Sequence, residues 1–343
     1  MPMTIKENLG NRFRQKAGIG AIGGSVLFVL ILTVALGAIC RADEELAKLH
    51  EACRCSDFAA LPQEGADLRT LSPGVAGKAA LHWAVEGLPA RSAERLRIVQ
   101  ALLDRGADVN QRSGDGRTPF QHACREGWDR PLLDLLLTRG TAIDALEGKT
   151  SASRPNAGTA LHRAAERRDV ELITYLLEKR ADPRCLTPRA QETPLHRVFA
   201  RAVSLESEKA RARSLACVRL LVDAGCPPDA TDSRGRTALH QAAIASHFEA
   251  IKELLSRGTS IDARNSEGWS AMHCAVMNRA NFDRRVIKCL HSRAAGLLDA
   301  TDKLGNTPCI GQSPSGTTKR CKHSCCLERM PICAIRPAGA PLI

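Results

Sequence analysis

Apolar and polar positions along this chain of 343 residues fall into one phrase that keeps returning. It reads Ala79-Ala80-Leu81-His82-Trp83-Ala84, then Thr118-Pro119-Phe120-Gln121-His122-Ala123, then Thr159-Ala160-Leu161-His162-Arg163-Ala164. It continues as Thr193-Pro194-Leu195-His196, Thr237-Ala238-Leu239-His240-Gln241-Ala242, Ser270-Ala271-Met272-His273-Cys274-Ala275 and a last fragment, Thr307-Pro308-Cys309-Ile310. Successive starts lie 33 to 44 residues apart. Most phrases lead into an apolar stretch of helical period that stops at Leu-Leu-x-x-Gly, as in Leu102 to Gly106, Leu136 to Gly140 and Leu254 to Gly258. Leu221-Val222-Asp223-Ala224-Gly225 is a variant, and Leu176 to Arg180 carries Arg where Gly is expected. The pattern predicts two short helices per phrase and no strands.

Each position has a chemical reason. Thr caps the first helix, its hydroxyl accepting an orphan backbone N–H. Pro at the first helical position loses no hydrogen bond, because that N–H has no intrahelical partner. Small Ala lets stacked helices approach, and Gly after the second helix supplies a left-handed residue to close it. Gly116, Gly235, Gly268 and Gly305, two residues before a phrase, serve the tight turn between repeats. Six repetitions of a T-P-L-H-x-A phrase near this spacing resemble the ankyrin repeat, over about three quarters of the chain. The resemblance implies an all-α solenoid of helix-turn-helix repeats joined by β-turns, and the uncharged run 17–40 places it behind one N-terminal transmembrane helix or signal segment.

The same resemblance assigns roles. The motif histidines His82, His162, His196, His240 and His273 (Gln121 stands in this place in the second repeat) would tie neighbouring turns by hydrogen bonds. Recurring once per repeat, they form a ladder and not a metal cluster. Partners would meet inner-helix side chains, here Trp83, Arg163, Arg197 and Gln241, and the turns, here Arg112, Arg117, Arg234, Arg236, Arg264 and Trp269. So many guanidinium groups fit carboxylates or phosphates, which points to an acidic or phosphorylated protein partner.

Domain limits follow from where the phrase holds. Residues 73–310 carry six repeats and the start of a seventh. Residues 41–72 read as a degenerate N-terminal cap repeat, with Asp43, Glu44 and Glu45 toward solvent. Insertions are expected near Leu88 to Ser92 and near Ser204 to Ala210, between paired helices, and at Gly148 to Pro155, within a turn. Residues 311–343 show no helical period and read as a Cys-rich disordered tail; Cys321, Cys325, Cys326 and Cys333 match no zinc spacing.

Two features of composition change the picture. Residues 17–40 contain no charge and enclose Val26 to Leu32, enough to span a bilayer at about 1.5 Å per residue. Gly20 and Gly24 form an incidental G-x-x-x-G pair there. The basic segment 1–16 carries Lys6, Arg12, Arg14 and Lys16, which keeps the N-terminus cytoplasmic and sends the repeats across. A cleaved signal ending near Ala35-Leu36-Gly37, giving a periplasmic or secreted protein, is the alternative. In an oxidising compartment, 14 cysteines would usually form a disulfide framework, yet Cys124, Cys217, Cys274 and Cys289 read as small buried apolar residues. Cys53 and Cys55 point to different helix sides. No catalytic motif and no residual domain is left for an enzyme, and no cofactor is expected. The net charge of +12 permits nucleic acid, but aromatics make up only 3 % and stacking surfaces are scarce, so none is expected. The reading is a non-catalytic interaction scaffold bound to a membrane through residues 17–40.

Overall fold

The computed structural model describes residues 47–52, 77–86, 93–125, 127–148, 157–200, 207–277 and 283–308. The expected basic segment, membrane span, Cys53–Cys55 pair and tail lie outside these residues. Among the described residues no helix is long and apolar enough to cross a membrane, and no strand occurs. The chain forms two compact units, Met1–Asp108 and Val109–Ile343.

In the first unit, α1 (Ala80–Glu86) and α2 (Ala93–Asp104) pack together. They bury Leu81, Ala84 and Val85 from one helix and Ile98, Val99 and Leu102 from the other. Residues 47–52 are helical, and Leu49 and Ala52 on them are buried.

The second unit repeats that helix pair five times. Its first helices are α3 (Pro119–Ala123), α5 (Ala160–Arg167), α7 (Pro194–Arg197), α9 (Ala238–Ile244) and α11 (Ala271–Met277). The second helices are α4 (Arg130–Thr138), α6 (Val170–Glu178), α8 (Glu208–Asp223), α10 (Phe248–Ser256) and α12 (Arg284–Arg293), the last followed by a 3-10 turn, Ala295–Leu298. First helices stack on first helices (α5 on α7, α9 on α11) and second on second (α6 on α8, α8 on α10). Leu133, Leu136, Leu172, Ile173, Leu176, Val218, Leu221, Ile251 and Leu254 form the sealed interior, each fully buried. Ala164 and Ala242 are as deeply buried. The fourth-repeat insertion lengthens an element: α8 has 16 residues where α4, α6 and α10 have 9.

Helix starts and stops follow the sequence closely. Thr118 and Gln121 make a reciprocal capping box, Gln121 N–H donating to Thr118 Oγ1 (3.3 Å) and Thr118 N–H to Gln121 Oε1 (3.0 Å). In the other repeats the motif His takes the glutamine's part. Backbone N–H groups of Thr159, Thr193, Thr237 and Ser270 each donate to the Nδ1 of the His three residues on (3.2 Å). At the far end, Thr141, Ala181, Cys226 and Thr259 return their N–H to Leu136, Leu176, Leu221 and Leu254. The residue before each is left-handed: Gly140 (φ 85°), Gly225 (φ 93°), Gly258 (φ 83°) and, unusually, Arg180 (φ 65°).

Candidate partner-binding surface

Between repeats the backbone folds into a turn closed by one hydrogen bond. The N–H groups of Ser113, Thr187, Asp232, Asn265 and Asp302 donate to the carbonyls of Arg117, Glu192, Arg236, Trp269 and Asn306 (2.8–3.0 Å). In three turns the opening side chain braces the loop: Asp232, Asn265 and Asp302 each accept two further backbone N–H groups. In the turn with the expected insertion the same kind of bond closes the loop, Glu147 N–H donating to Gly158 O (3.1 Å).

The turns are then tied to one another. Gly148, Ser233, Ser266 and Lys303 donate their N–H to the carbonyls of Gly116, Ala190, Arg234 and Glu267 in the preceding turn (2.7–3.0 Å). This approach explains Gly116: a Cβ there would lie 2.2 Å from Gly148 Cα. The histidines add a second tie. Nδ1 accepts a backbone N–H, so the proton sits on Nε2. That Nε2 donates to the next turn, His162 to Glu192 O, His196 to Arg236 O and His240 to Trp269 O (2.9 Å each), and His273 to Asn306 O (3.2 Å). Gln121 does the same with Nε2 to Ala145 O. Burial pulls the His162 pKa down to about 4 and lowers those of His196, His240 and His273, as neutral rings so placed require.

A third tie runs below the turns. Asn110, Asp144 and Asp229 accept the N–H of Ala142, Asp182 and Ser260 in the next repeat (2.8–3.1 Å). The exception explains itself. The corresponding residue opposite Arg184 is Pro227, which has no N–H to offer, and Arg184 Nε donates to Gly225 O instead (3.2 Å).

Most of the expected binding arginines are engaged inside this framework. Arg117 Nε (3.1 Å) and Arg163 Nε and Nη2 (2.9 and 2.8 Å) converge on Glu147, whose side chain is 3 % exposed. Glu147's hydrogen bonds push the Arg163 pKa further up. Beside them Arg112 Nη1 donates to Gly116 O (2.8 Å) and Leu146 O (2.6 Å). Arg197 is buried against Glu192 (2.8 Å), and Arg236 grips Asp232 of its own turn (2.7 Å). Arg264 is exposed but donates to Gly268 O (3.1 Å), and Gln241 is buried. Trp269 is half-buried with Nε1 on Asp302 (3.2 Å). In the first unit Trp83 is half-buried under Lys78, 4.6 Å from its ring centroid, and Lys78 pairs with Glu86. Arg234 is the member of the set whose guanidinium stands exposed and unpaired among the described residues. The structure thus brings Arg112, Arg117 and Arg163 together around Glu147, sets Arg234 and Arg236 in one turn and Arg264 and Trp269 at another, and gathers the whole set into no single site.

Two residues escaped the sequence reading. Glu147 carries no motif of its own, and only its place as a turn opener, shared with Ser113 and Asp232, distinguishes it. Arg189 lies exposed on the turn adjacent to that of Arg234, the two turns joined through Ser233 N–H and Ala190 O (2.7 Å). The thiols resolve as expected for three of four. Cys124, Cys217 and Cys274 are buried, burial raising their pKa values, to about 12 for Cys217 and Cys274, while Cys289 is only half-buried. No disulfide occurs among the six described cysteines.

Paired helices stacked repeat on repeat, with turns tied by backbone hydrogen bonds between them, define a helical-repeat interaction scaffold. The family model "Ankyrin repeats (3 copies)" matches residues 81–187 and 208–308, and the chain belongs to the ankyrin-repeat family. Rabankyrin-5 of Mus musculus is 30 % identical over 128 residues, 36 % of this chain and 11 % of that protein. The probable E3 ubiquitin-protein ligase XBOS33 of Oryza sativa subsp. japonica is 34 % identical over 171 residues, 47 % of this chain and 29 % of that protein. The chain therefore spans only a minor part of these relatives. The human ASB11 ankyrin repeat domain superposes with a TM-score of 0.52 at 24 % identity, over 71 % of this chain and 96 % of that one. The Bcl-3 ankyrin repeat domain gives 0.54 at 23 %, over 71 % and 97 %. At that identity both likenesses speak to the fold. Ankyrin repeats are protein–protein interaction scaffolds, and that is the class of function this chain has.

Proposed function

We propose that the chain is a non-catalytic adaptor, tethered to a membrane through residues 17–40, that captures an acidic or phosphorylated protein on its strip of turn tips. The observation that carries the reading is the pair of exposed guanidinium groups, Arg189 and Arg234, on adjacent turns whose backbones are locked together. A rigid mount lowers the entropy lost when a guanidinium forks onto a carboxylate or phosphate. Arg112, Arg117, Arg163, Arg197 and Arg236 support the mount and are engaged within it.

The flanking charges favour a cytoplasmic N-terminus with the repeats on the far side, either retained or released by signal cleavage. Buried, protonated thiols such as Cys217 and Cys274 are compatible with an oxidising compartment, since the thiolate is the reactive form. A reporter active only outside the cytoplasm, fused after Leu71, should be active; inactivity would reverse the topology. For the binding strip, a phosphopeptide array probed with the wild type and with R189E/R234E is decisive. The wild type should prefer phosphorylated over unphosphorylated spots by about tenfold and the variant should lose that preference. An equal preference in both would refute the site.

A further inference from the structure

In four successive turns an exposed side chain stands at the same place, two residues after the residue that opens the turn. Counting from the openers Thr187, Asp232, Asn265 and Asp302, that place falls to Arg189, Arg234, Glu267 and Leu304. All four are exposed, Leu304 to 78 %. The backbones beneath them are joined in series: Ser233 N–H donates to Ala190 O (2.7 Å), Ser266 N–H to Arg234 O (2.8 Å) and Lys303 N–H to Glu267 O (3.0 Å). Among the described residues no ion pair engages the side chain of Arg189, Arg234 or Glu267. Two cations, an anion and an apolar group thus stand in fixed order on a fixed mount.

The mount also sets a spacing. Backbones joined by such a bond lie about 5 Å apart, and the next residue adds about 3.8 Å. That gives about 9 Å from Arg234 to Glu267 and from Glu267 to Leu304, in keeping with the separation of about 8–10 Å between the packed helices that carry the turns. A polyproline-II segment has three residues per turn and rises about 3.1 Å per residue, so the same face returns after about 9.3 Å. A β-strand returns its face after about 6.7 Å and an α-helix after about 5.4 Å, and neither keeps pace with the turns.

We propose that these turns receive an extended polyproline-II segment of a partner protein, with acidic, acidic, basic and apolar side chains at every third residue. The proposal rests on the reading of Arg189 and Arg234 as the acid-binding pair. To that reading it adds a length of about ten residues, a register, and a change of sign at Glu267. Polyproline II is a major conformer of unfolded chains, so an unstructured stretch of the partner already samples the bound form. The chain's own residues 309–343 do not fit, because Glu328 is their one acid. Exposed pairs of this kind set register and partner choice more than strength.

The test uses the full chain in detergent and labelled peptides of about ten residues carrying Glu, Glu, Lys and Leu three residues apart, with Pro and Ser between them. Each is made in both chain directions, and binding is read by fluorescence anisotropy at about 50 mM salt, where screening is weak. In one direction the peptide should bind about fivefold tighter than peptides with the same side chains two or four residues apart. E267K should weaken that peptide about fivefold and strengthen, by a similar factor, the peptide with Glu in place of Lys. Unaltered thermal melts will show that this exposed substitution leaves the fold intact. Equal affinity for all three spacings overturns the proposal, and so does an E267K variant that changes both peptides alike. If R189E/R234E leaves the binding of every peptide unchanged, the acid-binding reading of the strip fails as well. A response to R189E/R234E without one to E267K sinks the register alone.

Discussion

Acid should loosen the stack through its motif histidines, and His162 sets the scale. Its Nδ1 accepts the N–H (3.2 Å) and lies within hydrogen-bonding distance of the hydroxyl (2.9 Å) of Thr159, while Nε2 donates to Glu192 O (2.9 Å). A proton on Nδ1 would face those donors in a site only 1 % exposed. Burial accordingly lowers its pKa from 6.5 to about 4. The unfolded chain therefore takes up the proton first. The contribution is complete above about pH 6.5, falls away between there and about pH 4, and changes no further below that. Across the window a shift of this size corresponds to about 3 kcal/mol, of which about 1 kcal/mol goes between pH 7.5 and pH 5.5. Gln121 shows which substitution isolates the effect, because it makes the same bonds in its own repeat without titrating. H162Q should thus keep near-native stability at pH 7.5 and lose about 1 kcal/mol less than wild type on moving to pH 5.5. Urea unfolding followed by circular dichroism at both pH values measures this. Identical acid losses in the two proteins would refute the assignment.

Ala164→Leu or Ala242→Leu should overpack fully buried positions and destabilise by about 1–3 kcal/mol, seen as a lower melting temperature. Arg180→Gly should do the opposite, by up to about 1 kcal/mol, because a residue at φ 65° is relieved of its Cβ strain. Glu147→Ala should cost about 2 kcal/mol by leaving Arg117 and Arg163 half-buried without their carboxylate, and Arg163→Ala in that background should cost less than it does alone. A double-mutant cycle by denaturant titration would show the coupling, and strict additivity would exclude it.

The fold was legible because each of its devices is local. Thr caps, the proline at N1 and the glycine past Leu-Leu lie within a few residues of the bonds they make, so Thr118, Pro119 and Gly140 announce their roles. The fate of the arginines was not legible, since it depends on residues a repeat away. Nothing near Arg163 in sequence marks Glu147, sixteen positions earlier, as its partner. Arg197 and Arg236 have acids in their own turns, Glu192 and Asp232, which composition alone does not distinguish from a solvated surface. The exchange of an acid for Arg184 opposite Pro227 is likewise visible only once both repeats are in register.

The closing bond between Glu147 and Gly158 bears on how such a scaffold acquires new specificity. Three residues lie between Ser113 and Arg117 in one turn and ten between Glu147 and Gly158 in another, yet the same kind of rung seals both. Lengthening a loop by that factor costs only about 1 kcal/mol in closure entropy. A tip can therefore grow, shrink or be replaced wholesale while the rungs beneath it hold their spacing. The rung separates what must be kept from what is free to vary, and it marks the interval between residues 148 and 158 as a place to graft a foreign recognition loop.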